Sequence, residues 1–79
     1  MTKYEIWLSS FDTSEQRLYQ LERNGDWHLY MVKTPYWQKN FRYYETNYHI
    51  WNEVTGEWIV RADYKEAHNT YKRKGDKCL

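Results

Sequence analysis

Cysteine occurs once in the 79 residues, at Cys78, so the chain cannot close a disulfide on itself or assemble a thiolate metal cluster. A reducing compartment is the simpler reading, and the cytoplasm is the expected location. Proline also occurs once, at Pro35, and glycine only at Gly25, Gly56 and Gly75. So few breakers leave most of the chain to regular structure, and scattered glycines exclude the usual phosphate-cradling loops. No apolar run reaches the length of a signal-peptide core or a membrane span. Excess charge is missing too: 12 Lys and Arg stand against 11 Asp and Glu, a net charge of +1. That balance argues against an acidic mimic of DNA and against a strongly basic duplex binder.

Catalytic patterns are equally scarce. His28, His49 and His68 are each alone in sequence, without the close spacing of a zinc site. There is no Gly-x-Ser-x-Gly elbow, and Cys78 has no base near it in sequence. Glu53 and Glu57 flank a turn, and nothing in the pattern buries them for acid–base work. The expectation is a protein that is not an enzyme and needs no metal or cofactor.

Aromatic residues are what the chain has in quantity: five Trp, nine Tyr and two Phe, 20% of all residues. The mean hydropathy of −1.15 would otherwise suggest disorder. Rings spread from Tyr4 to Tyr71 argue instead for a packed core, because each removes a large apolar area from water. The length allows one domain, read here as residues 1–75 followed by a tail, 76–79.

Tyr4, Ile6 and Leu8 alternate with Glu5 and Trp7, which reads as a half-buried strand. Asp12-Thr13-Ser14-Glu15 is a turn cluster. It is also a possible helix start running to Arg23, with Asp12 as cap. A hairpin is preferred, because the residues after Gly25 are plainly strand-like. Asn24-Gly25 permits a two-residue turn, but a bulged three-residue loop sorts the faces better. It sets Leu21 opposite Trp27 and Tyr19 opposite Leu29. The same logic at Gly56 pairs Ile50 with Val60 and Tyr48 with Ala62. Asp63 then caps a helix, with Glu66 in capping-box position. Tyr64, Ala67, His68 and Tyr71 share one helix face, Lys72, Arg73 and Lys74 complement the dipole, and Gly75 is a natural stop. The fold class expected is α+β: a small twisted antiparallel sheet of about five strands, with two hairpins and a C-terminal helix on one face.

Between the hairpins lies Lys33 to Asn47, read as a break at Pro35, a loop, and then a long strand reaching Asn52. This stretch is dense in rings and cations and is the sharpest positive signal. Tyr36, Trp37, Lys39, Phe41, Arg42 and Tyr44, with Trp51, are the candidate partner-binding residues. The same rings can instead close the core of a thin domain, with Lys and Arg stems lying across them, but a core does not easily absorb them all. A single helix covers one sheet face only, which leaves Trp7, Trp51 and Ile59 on the bare side. Trp, Tyr and Arg dominate interface hot spots, and an exposed patch of them marks a partner surface.

The function expected is therefore protein–protein contact through an aromatic-rich surface. In type, the chain is similar to small accessory proteins of phages and mobile elements that inhibit a host or defence complex. A second reading is a single-strand nucleic-acid binder that stacks bases on these rings and holds phosphates with Lys33, Lys39 and Arg42. The aromatic Lys/Arg-Gly-aromatic core of a common RNA-binding sheet is missing, since no glycine falls in residues 26–55. A homodimer burying the bare sheet face is compatible with either.

Overall fold

A computed structural model describes residues 3–12 and 15–76. The order is α1 (Lys3–Ser9), β1 (Arg17–Asn24), β2 (Trp27–Gln38), β3 (Phe41–Asn52), β4 (Trp58–Arg61) and α2 (Tyr64–Asp76). The four strands form one antiparallel sheet in the order β1-β2-β3-β4. The α+β class holds, with four strands rather than about five.

The missing strand is the first one. Residues Lys3–Ser9 are helical, and the alternation of Tyr4, Ile6 and Leu8 does not describe a buried face: Ile6 is exposed. The working pattern is Trp7, Leu8 and Phe11, close to one helical turn, which docks on the sheet face opposite α2. Trp7, Tyr30 and Trp51 are buried there, with Leu8, Phe11 and Leu18 against them. Trp7 and Trp51 are therefore core residues. Tertiary packing overrides a local period-two signal when a sheet face needs cover.

On the other face, α2 lays Ala67 and Tyr71 over Trp27, Leu29 and Ile50, with Tyr48 and Ile59 alongside. Asp63 caps α2, accepting the Glu66 N–H at 3.1 Å. The helix does not stop at Gly75. That residue is buried inside it, and a Cβ there would lie 2.7 Å from Asn24 Nδ2, so the glycine serves close packing against β1. Asp76 belongs to α2, and the rest of the tail, 77–79, lies outside the described residues.

Both hairpin registers differ from those expected. The first closes on two residues, Gly25 and Asp26, between the paired Asn24 and Trp27. Gly25 takes φ +60°, as the first position of a type II′ turn requires. The bulge exists, but at Leu21, between Gln20 and Glu22. It moves Glu22 onto the α2 face, where it meets His68 at 2.8 Å. In the last hairpin Ile50 pairs with Ile59 and Trp51 with Trp58, one residue off the expected register. Asn52 causes the slip: its Oδ1 accepts the N–H groups of Val54 and Thr55, both at 2.8 Å, closing a longer loop. A one-residue slip turns every side chain of β4 over, so Ile59 enters the α2 core and Trp58 joins the α1 side.

Residues 33–47 hold a further difference. Pro35 does not break β2, which runs 12 residues and pairs with β3 along its whole length. Lys39 and Asn40 form the two-residue turn, with φ +51° and +68°. Two positive φ values in succession are the type I′ pattern that suits hairpin twist. The closing pair Gln38–Phe41 is hydrogen-bonded, and bonded pairs then alternate, so Pro35–Tyr44 is a non-bonded pair. The proline nitrogen thus points away from β3. It faces a side that β1 does not reach, because the β1 pairing starts at Arg17–Lys33.

Candidate functional site

Residues 34–38 and 41–45 pair only with each other. They form a two-stranded ribbon that extends past the four-stranded sheet and past both helices. The molecule measures 49 × 31 × 15 Å along its principal axes. Six of the seven partner-binding residues expected from the sequence lie on this ribbon or its turn: Tyr36, Trp37, Lys39, Phe41, Arg42 and Tyr44. All six are exposed, with Trp37 at 71% and Phe41 at 67%. Tyr43 belongs to the same surface and is also exposed.

Trp51 does not join them. It is 2% exposed, with its ring 4.6 Å from Trp7 on one side and 4.6 Å from His28 on the other, both near parallel. A side chain sandwiched in this way offers no face to a partner.

Strand alternation sorts the ribbon into two faces. Lys33, Pro35, Trp37, Arg42, Tyr44 and Thr46 share one, by the pairings Lys33–Thr46, Pro35–Tyr44 and Trp37–Arg42. Tyr36, Gln38, Phe41 and Tyr43 share the other, where Tyr36 and Tyr43 stack with centroids 5.7 Å apart. Arg42 is the best-fixed cation. Its guanidinium lies 5.3 Å from the Tyr44 ring centre and donates to Glu15 Oε2 at 3.1 Å. Lys39 sits at the tip.

Two other features were not legible in the sequence. An apolar cleft of about 360 Å³ opens between α1 and the β3–β4 loop, lined by Ile6, Trp7, Trp51, Gly56 and Trp58. A polar hollow of about 680 Å³ lies between β4 and α2, with Arg61, Lys72 and Arg73 around Glu66 and Asn69. The imidazoles have structural partners. His28 is within 3.2 Å of Glu53 Oε2, a carboxylate that also takes Arg23 at 2.9 Å. Buried His49 accepts the Trp58 indole N–H on Nδ1 at 2.8 Å, and burial lowers its pKa to about 4. Among the described residues no three His, Cys, Asp or Glu side chains group as metal ligands. None of the described helices is long and apolar enough to cross a membrane.

No protein-family model matches the chain, and no curated protein or solved structure matches it. Its own geometry is what speaks to function.

Proposed function

We propose that this chain is a non-enzymatic binding protein whose projecting ribbon seats in a partner protein. Tyr36, Trp37, Phe41 and Tyr44 are the apolar anchors, and Arg42 and Lys39 supply the polar rim. One observation carries the reading: among the described residues, Trp37 and Phe41 are the two most exposed large apolar side chains, and both sit on a ribbon that neither helix covers. Exposing such rings costs free energy that a partner pocket recovers. A small domain with only a contact surface acts by occupying its partner, so the reading includes inhibition of an assembly by occlusion. The single cysteine suits a reducing cytoplasm.

The nucleic-acid reading uses the same rings for stacking. It is disfavoured by charge: Arg42 is already bridged to Glu15, and Glu45 stands on the ribbon itself. Titration of a mixed single-stranded oligonucleotide, followed by tryptophan fluorescence at low and moderate salt, tests the choice. An unchanged signal at both salts is the expected result. Quenching that weakens with salt and vanishes in Trp37→Ala overturns the protein-binding reading.

A further inference from the structure

An exposed strand edge is a template for another strand, and natural sheets guard such edges with bulges, proline, charge or shortness. Three of the four free edges in this sheet are guarded. The outer edge of β1 carries the bulge at Leu21 and the charges of Arg17, Glu22 and Arg23. That of β4 is four residues long. The free part of β2, beyond the end of β1, contains Pro35, whose nitrogen points outward and donates nothing.

The fourth edge has neither bulge nor proline nor shortness to guard it, and its two charges, Arg42 and Glu45, are of opposite sign. β4 pairs with β3 only at Tyr48 to Trp51, so among the described residues no strand lies on the outer side of residues 41–47. Which groups face outward follows from the ladder. Phe41, Tyr43, Glu45 and Asn47 bond to β2, and the alternate residues turn away from it. Asn52, of the same parity, confirms the direction: its N–H donates to Glu57 O at 2.9 Å, and its carbonyl accepts from Gly56 at 2.9 Å, both on the β4 side. Arg42, Tyr44 and Thr46 therefore present three N–H and three C=O groups along an edge with no proline and no bulge.

We propose that two copies of this chain pair antiparallel through this edge, about a two-fold axis at Tyr44. The outward residues are symmetric about that position. Tyr44 falls opposite Tyr44 of the second copy, and Arg42 opposite Thr46, twice. All six backbone groups on each copy find partners in one register, with no bulge. Side-chain charge agrees: Arg42 meets Thr46 and Glu45 meets Tyr43, so no like charges oppose. The contact is isologous and closes at two copies, joining two four-stranded sheets edge to edge. It uses backbone edges and leaves both ribbon faces open. It goes beyond the partner-binding reading and stands or falls separately from it.

Sedimentation across the micromolar range tests the pairing. The expected mass is that of two 10.0 kDa chains. Tyr44→Glu and Tyr44→Lys each put like charges opposite one another on the axis and each reduce the mass to one chain. An equimolar mixture of the two restores the dimer, which only a Tyr44–Tyr44 register explains. Tyr44 is half exposed, so both variants keep the circular dichroism of the parent. Tyr44→Cys with Cys78→Ser forms an intermolecular disulfide, because bonded antiparallel pairs lie about 5.5 Å apart at Cα, within disulfide reach. A parent mass of one chain throughout overturns the proposal. So does a dimer that both charged variants leave intact. A monomer whose amides at 42, 44 and 46 gain exchange protection only with another protein bound also overturns it, and gives the edge to a partner's strand.

Discussion

The indoles of Trp7 and Trp51 lie 15° from parallel with their centroids 4.6 Å apart, and this stack fastens α1 to the sheet. Phe11 meets Trp7 edge-on at 5.0 Å, and Tyr30 lies 4.8 Å away, so Trp7 is the hub of its cluster. Removing it takes a buried side chain of α1 and leaves a cavity over Trp51. Trp7→Ala should cost about 3–5 kcal/mol, a large fraction of the stability of a domain this size. Urea denaturation checks it. A midpoint near that of the parent means that α1 contributes little.

The ribbon should behave in the opposite way. Trp37 and Phe41 touch little of the core, so Trp37→Ala and Phe41→Ala should each change stability by no more than about 0.5 kcal/mol. Trp51→Ala, by contrast, should cost about 3–5 kcal/mol. Thermal denaturation of the three variants side by side separates surface rings from core rings. A strong destabilisation by Trp37→Ala would place that ring in the core and remove the main support for the binding surface.

Much of the architecture was legible where residue chemistry is local. The α2 start at Asp63 follows from capping, and the strand after Gly25 follows from alternation. What escaped was set by distant residues. α1 looks extended in sequence, since Tyr4, Ile6 and Leu8 alternate, and only the bare sheet face decides for a helix. The last register rests on Asn52 capturing two N–H groups with its side chain, which composition does not reveal. The sequence singles out the ring-rich segment without deciding between core and surface, and Pro35 masks its strand. A proline is harmless there because β1 has ended beside it, a fact of sheet order rather than of sequence. Trp51 was misplaced for the same reason as α1: nothing nearby in sequence announces Trp7 as its cover.

The ribbon turn is a point of stored strain. Lys39 and Asn40 both hold positive φ, a region that favours glycine and, less strongly, asparagine. Replacing the pair by Asn-Gly should stabilise the fold by about 0.5–1 kcal/mol. Asn40→Val should cost at least as much, since a β-branched side chain resists this conformation. Hydrogen exchange at Tyr36 and Tyr43, which form the next bonded pair, reads the change locally. Unchanged protection in both variants would mean that the turn does not control the ribbon.

His49 gives the chain a specific acid sensitivity. The residue is 8% exposed, Phe11 packs against its ring at 5.3 Å, and Nδ1 is occupied as an acceptor for the Trp58 indole. Protonation would turn that acceptor into a donor facing another donor. Burial lowers the folded-state pKa from 6.5 to about 4. The unfolded chain therefore binds more protons than the folded one between these values. Stability from this group is present above pH 6.5 and is lost as pH falls toward 4, at up to about 1.4 kcal/mol per pH unit. Urea midpoints across that window, compared with His49→Gln, should show a steeper acid decline in the parent. The His49 ring signal in a proton-detected titration should move near pH 4. Titration near 6.5 would mean that the ring is solvated and that the Trp58 hydrogen bond does not persist in solution.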